Sequence, residues 1–321
     1  LQQVVRVTAY ALRRLALAVP VLVGVSVVVF LTISLIAGAP ALAILGTFAT
    51  PETVARLNAD LGLDRPLPIR YVVWLKGVLT GDLGRSYTLG RPVADEVLER
   101  LWPTLILASA ALALSVAFGI AAGVVSAVRQ NKLTDGAIRI VLLVGISTPS
   151  FFLGIMLIQW LSVRLGWFPT GGMVSLFGGQ GFFDLAHHLV LPAVTLAVVA
   201  TAIVGRLMRA AMLEALRQDF VRTARAQGLA EERVIGVHAL KNAAAAITPV
   251  IGLQAGYVLG GAVYVETVFQ WPGVGRMLVE AIGRRDVLLV QGGVLVIAAL
   301  YVLINVATDL AQAALDPRIK T

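Results

Sequence analysis

Charged side chains are absent from six long stretches of the chain: residues 15–51, 101–128, 140–163, 185–205, 242–265 and 287–308. A helix needs about 20 residues to cross about 30 Å of hydrocarbon, and every stretch reaches that length. One charge at the centre of a span costs about 2.5–3.5 kcal/mol on insertion, so clean windows are what spanning helices require. The first window is too long for one span. Gly38 and Pro40 break it, and its helix is expected to end near Ala37. A seventh uncharged stretch, residues 165–183, differs in kind because it holds six glycines and Pro169. Each Gly lowers helix propensity by about 1 kcal/mol against Ala, so this stretch reads as a loop or re-entrant turn.

Composition agrees with a lipid solvent: 58% of the residues are hydrophobic, 14% are charged, and the mean hydropathy is +0.88. A soluble domain carries about a quarter charged residues. Arg13 and Arg14 before an apolar run, with Ala37-Gly38-Ala39 after it, imitate a signal peptide. Residues 15–36 are longer than the roughly 7–15 residues of a signal-peptide core, so an uncleaved first span is expected. The absence of cysteine excludes disulfides and thiolate metal sites, and with three histidines no metal site is expected.

The net charge of +8 could point to nucleic acid, but its placement argues otherwise. With the N-terminus inside, interior segments hold 15 of the 26 cations and 7 of the 18 acids, and exterior segments hold 11 of each. The whole positive excess lies on one face, as the positive-inside rule requires, and no nucleic-acid partner is inferred. The expected fold is an all-α membrane protein. Its interior N-terminus is 1–14, its spans are 15–37, 101–128, 140–163, 185–205, 242–265 and 287–308, and its interior C-terminus is 309–321. Segments 38–100, 164–184 and 266–286 are exterior, 206–241 is an interior loop, and the whole is one domain.

Within the exterior segment, Thr50-Pro51-Glu52 reads as a helix start and Gly62 as its stop. A second helix is expected from Pro68 to Leu79, ended by Thr80-Gly81-Asp82-Leu83-Gly84. The pair forms either a small cap over the membrane surface or a docking site for an external partner. Gly252, Gly256 and Gly260, and likewise Gly119 and Gly123, recur at intervals of four and predict close helix packing in lipid. Pro149, beside Ser147, Thr148 and Ser150, predicts a kink whose freed carbonyls the hydroxyls satisfy. Polar groups inside or at the ends of windows usually face a bundle interior or a water-filled path. Gln159, Gln254, Tyr257, Glu266 and Asn305 are therefore candidates for a pathway or gate.

The loop at 206–241 is too long for a turn and predicts two helices around Gly228. Apolar residues recur at steps of three and four through Leu213, Leu216, Phe220 and Ala224, flanked by Glu214 with Arg217 or Gln218 and by Asp219 with Arg222. Gly228 permits the left-handed turn that stops the first helix. Glu231 and Glu232 open a second, short one ending near His238-Ala239-Leu240-Lys241-Asn242. An amphipathic helix lying on anionic lipid is the plainer alternative, but charges of mixed sign on short helices suit a shaped protein partner better.

This segment resembles the coupling segment of the membrane subunits of oligopeptide, dipeptide, glutathione and nickel ABC importers. The residues that carry the resemblance run Asp219-Phe220-Val221-Arg222-Thr223-Ala224-Arg225-Ala226-Gln227-Gly228, then His238-Ala239-Leu240-Lys241-Asn242. Arg222-Thr223-Ala224 stands where the wider importer motif has Glu-Ala-Ala, which removes the motif's Glu. The likeness continues through Leu61-Gly62-Leu63-Asp64, Gly81-Asp82-Leu83-Gly84-Arg85-Ser86 and Thr148-Pro149-Ser150-Phe151. It resumes at Gly260–Phe269, Pro272-Gly273-Val274-Gly275, Arg285-Asp286 and Leu315-Asp316-Pro317-Arg318-Ile319, matching the first permease of the pair.

The resemblance implies a non-enzymatic permease in a bacterial inner membrane, importing di- or oligopeptides, with glutathione or a nickel chelate as the alternative cargo. Implied partners are a second homologous permease, two cytoplasmic ATPases, an exterior substrate-binding protein and membrane lipid. ATPase coupling would fall on Glu214, Asp219, Arg222, Ala224, Gly228, His238, Lys241 and Asn242. No Gly-x-x-x-x-Gly-Lys-Ser/Thr loop occurs, so no cofactor is expected in this chain, and ATP and magnesium would sit on the partner ATPases. Two rivals are weaker. Gly145-Ile146-Ser147 with His187 or His188 could form an intramembrane serine protease, but Thr148-Pro149 follows where such proteases place Gly. A secondary transporter lacks its inverted repeat and acidic midplane pair.

Overall fold

The computed structural model describes residues 2–36, 49–60, 64–175 and 181–315, and the regular structure among them is helical. The order is α1 (Gln2–Ile36), α2 (Pro51–Asp60), α3 (Leu67–Leu79), α4 (Val93–Val128), α5 (Leu133–Ser147) and α6 (Ser150–Arg164). It continues with α7 (Phe182–Leu216), α8 (Asp219–Ala226), α9 (Glu231–Val268), α10 (Val274–Gly283) and α11 (Val287–Leu315). Helices α4, α7, α9 and α11 are each long and apolar enough to cross a membrane, α5 and α6 qualify as a pair, and α1 carries a shorter apolar stretch, Ala16–Thr32. The expected breakers Gly38, Pro40 and Gly62 lie outside the described residues.

Several expectations are corrected. Charge-free windows mark hydrocarbon, not helix ends. Thus α4 starts at Val93 rather than 101, and α7 runs on to Leu216, so the first residues of the supposed loop are helical. The supposed turn at 266–286 contains the end of α9 and all of α10. At Thr148-Pro149 the chain breaks rather than kinks, with α5 and α6 meeting at 105°. Both residues are extended, and the Thr148 hydroxyl donates at 2.8 Å to the Val144 carbonyl, which already accepts Thr148 N at 3.0 Å, rather than to the Gly145 carbonyl that Pro149 frees.

The chain divides into two compact units, one of residues 1–11, 105–271 and 304–321, the other of 12–104 and 272–303. In the first, α7 packs against α9, α5 and α6. Gly119 and Gly123 of α4 lie so close to Val204 and Met208 of α7 that a Cβ at either would collide. Gly252 meets Thr308 in the same way, whereas Gly260 faces open space. Close approach holds at Gly119, Gly123 and Gly252 and fails at Gly260.

In the second unit, α3 rests on α1 through Phe30, whose ring centroid lies 5.4 Å from Tyr71 and 5.8 Å from Trp74, while Ser26 and Tyr71 share a 2.8 Å hydrogen bond. Thr50 caps α2 as expected, its hydroxyl accepting from Thr53 N at 3.2 Å. Val93, Val97, Met277, Leu278 and Leu289 form the apolar core. Beside it the fully buried Asp286 gathers the loop before α4 onto the start of α11. Its carboxylate accepts from the Ser86 hydroxyl at 2.5 Å, from Thr88 N and Oγ1 at 3.0 and 2.8 Å, and from Leu289 N at 3.2 Å. Glu96, also buried, bonds Arg91 at 3.1 Å and Arg100 at 2.9 Å.

Charge-assisted hydrogen bonds contribute about 1.5–3 kcal/mol each, and an orphaned buried donor costs more. Asp286→Ala is expected to destabilise the protein by about 3 kcal/mol or more. Thermal unfolding in detergent, followed by tryptophan fluorescence, tests this. A midpoint equal to that of the unaltered protein excludes the clamp.

Candidate functional site

The segment that begins where α7 leaves its apolar window is seated on a shared core. Val221 and Ala224 of α8 are buried with Ala127 of α4, Met208, Met212 and Ala215 of α7, and Val234, Ala239, Ala243 and Ile247 of α9. The apolar rhythm from Leu213 to Ala224 therefore belongs to two helices: α7 ends at Leu216, Gln218 is extended, and α8 starts at Asp219. Phe220 is 38% exposed, and the position that enters the core is Val221. The expected second short helix does not end near Asn242. It continues through a π-helical turn, Val234–Ala239, into α9.

The turn between α8 and α9 closes as a Schellman motif. Gly228 N bonds Arg225 O at 3.0 Å, Leu229 N bonds Ala224 O at 3.3 Å, and Leu229 packs on the same core as Ala224. Gly228 holds φ +76°, where any Cβ is strained. Across the turn Arg225 grips Glu231 with two bonds of 3.1 and 2.7 Å, and the guanidinium holds the Glu231 carboxyl below its ordinary value.

A second clamp fixes the ends of α4, α5 and α7. Asp135, fully buried, accepts from Arg209 Nε and Nη2 at 2.9 and 2.8 Å, from Ser126 Oγ at 2.5 Å, and from Asn131 N at 3.1 Å. Arg209 first, then Ser126 and Asn131, hold its carboxyl well below the usual carboxylate range. Sequence spacing gave no sign of this pair, since its partners lie 74 residues apart.

Of the expected coupling residues, Glu214, Asp219, Arg222, Gly228, Lys241 and Asn242 are exposed, His238 is half-buried, and Ala224 lies in the core. Asp219 and Arg222 make an exposed 3.4 Å ion pair of small energetic weight. Asn242 donates to the His238 carbonyl at 2.9 Å. The expected partnership of Glu214 with Arg217 is a backbone bond, Arg217 N to Glu214 O at 3.2 Å. The pathway candidates are scattered: Gln254 and Glu266 are buried in α9, Tyr257 on the same helix is 75% exposed, Gln159 is exposed in α6, and Asn305 is half-buried in α11. His187 and His188 bond the carbonyls of Trp167 and Asp184, and no described hydrogen bond joins either to Ser147.

A carboxylate whose pKa is depressed by folding stabilises the native state at every pH above its unfolded value, about 4, and that gain is lost only as pH falls through the depressed value. Asp135→Asn is therefore expected to lower the melting midpoint by the same amount at about pH 5.5 and about pH 8. A loss confined to one of the two conditions refutes the assignment. Gly228→Pro removes the Gly228 N–H and forces φ negative, and trypsin cleavage at Arg225 is expected to accelerate. An unchanged digestion rate contradicts the turn.

A family model described as binding-protein-dependent transport system inner membrane component matches residues 119–321, and its N-terminal companion matches residues 7–108. The dipeptide transport system permease protein DppB of Alkalihalophilus pseudofirmus is 42% identical over 97% of this chain and 99% of that protein. The protein of the same name from Escherichia coli is 39% identical over 97% and 98%. Among solved structures, an inward-facing MetNI methionine ABC transporter chain aligns with a TM-score of 0.57 over 69% of this chain and 96% of that one, at 17% identity, a likeness of fold alone. These matches identify the chain as a permease subunit of an ABC importer, a member of the family of binding-protein-dependent transport system inner membrane components.

Proposed function

We propose that the chain is the first permease of a pair that imports di- or oligopeptides, and that α8 is the lever on which a cytoplasmic ATPase pushes. Six spans would place both termini and the 206–241 segment in the cytoplasm, in keeping with the 15 interior cations. The observation that carries the reading is the seat of α8. Its Val221 and Ala224 are locked into the ends of α4, α7 and α9, while Asp219 and Arg222 remain exposed for a partner. A helix so held transmits a push as rigid-body motion, because a close-packed core has little compressibility. Peptides are favoured as cargo because near-full-length relatives are named dipeptide permeases. ATP and magnesium belong to the two ATPases in this scheme, and an exterior binding protein delivers the peptide.

Charge reversal at both Arg222 and Lys241 is expected to lower ATP-dependent uptake of a labelled dipeptide by roughly tenfold or more, since like charges facing each other at an interface cost several kcal/mol. The measurement is uptake by proteoliposomes holding the assembled transporter, with membrane insertion matched between variants. Undiminished uptake refutes the lever. Uptake of glutathione or a nickel chelate in place of peptides refutes the cargo alone.

A further inference from the structure

Beside the Asp135 clamp, α5 and α7 enclose a groove of about 540 Å³ with largely apolar walls. Ile140, Leu143 and Ile146 supply the apolar lining, and Arg139, Arg206 and Arg209 stand around it. Arg209 is committed to Asp135. Arg139 and Arg206 are exposed and make no ion pair among the described residues. Their positions in the chain matter: Arg139 immediately precedes one uncharged window and Arg206 immediately follows another. Two free guanidinium groups therefore stand at the headgroup edge of neighbouring apolar helices, and Ile140 and Leu143, 64% and 63% exposed, lead away from them. From Ile140 to Ile146 the groove follows α5 for about 9 Å, at 1.5 Å per residue.

A soluble anion would use the arginines and leave the apolar walls uncovered. A zwitterionic phospholipid also covers the walls and brings a phosphate, but its ammonium offsets the charge that two arginines call for. An anionic phospholipid satisfies both, with phosphate oxygens on planar, multidentate donors and an acyl chain along the apolar lining. We propose that this groove is a binding site for an anionic phospholipid, its phosphate held by Arg139 and Arg206 and one acyl chain lying along Ile140, Leu143 and Ile146. The site rests on α5 and α7 being membrane-embedded and is independent of the cargo and of the ATPase lever.

The test is native mass spectrometry of the assembled transporter released from nanodiscs containing phosphatidylglycerol and phosphatidylethanolamine. Retained phosphatidylglycerol is expected to exceed phosphatidylethanolamine, and the double variant Arg139→Gln/Arg206→Gln to reduce it about tenfold. Ile146→Trp, which fills the groove without altering charge, is expected to reduce it as well. Arg129→Gln/Lys132→Gln removes the same charge outside the groove and is expected to leave retention intact. Equal retention by the arginine variant overturns the site. Equal loss in the Arg129/Lys132 control overturns it in favour of diffuse surface attraction, and displacement by inorganic phosphate overturns it in favour of a free-anion site. Lipid held by the isolated chain but lost on assembly overturns it in favour of a protein partner covering the groove. Failure of the unaltered transporter to import peptide, with lipid retained as expected, counts against the proposed function only.

Discussion

A peptide group in hydrocarbon has no water to bond, so backbone that leaves the helix there must find its partner within the protein. Two interruptions among the described residues bear on that demand. At the break between α5 and α6 the Val144 carbonyl accepts both the Thr148 N–H and the Thr148 hydroxyl, at 3.0 and 2.8 Å. After α6 the Ser162 hydroxyl donates to the Pro169 carbonyl at 3.0 Å, and Gly172 N reaches the Phe269 carbonyl at 2.8 Å. Gly171 has no side chain to hold that approach off, because a Cβ there would strike the Phe269 carbonyl. After α6, then, the irregular backbone is met by a hydroxyl and by a neighbouring helix end.

Buried carboxylates do a related job at the edges of the apolar segments. Asp286 and Asp135 each gather several donors and hold together elements distant in sequence, while Glu96 pairs with its neighbours Arg91 and Arg100. A buried charge is tolerated only when its partners are complete, and removal of one partner leaves the other costly. Such clamps therefore favour geometry over adaptability. That would suit the proposed lever, which hands on displacement rather than absorbing it.

The parts of the fold set by solvent and by local backbone rules were legible in the sequence. Absent charges located the apolar stretches, Thr50 marked a helix start, and Gly228 marked a left-handed turn, because each rule acts over a few residues. Helix lengths were less legible, since α7 continues through Arg206 and Arg209 on packing and ion pairing that composition does not reveal. The split between Leu216 and Asp219 was hidden by an apolar rhythm that two successive helices happen to share. Least legible were the clamps: Ser86 and Asp286 lie 200 positions apart, and each looks like an ordinary surface residue until the other is placed beside it. Both had nonetheless been singled out by family resemblance, for a reason that only the fold supplies.

The π-helical turn at Val234–Ala239 gives α9 an uneven tolerance to changes in length. A π turn is an α-helix holding one surplus residue, so deletion there lets the turn relax to regular α geometry with the downstream faces unmoved. The same deletion between Leu240 and Val268 swings every later side chain by about 100° around the axis, taking Gln254 or Glu266 out of the core. Length variation among relatives can thus accumulate at the foot of this helix while its upper register stays fixed.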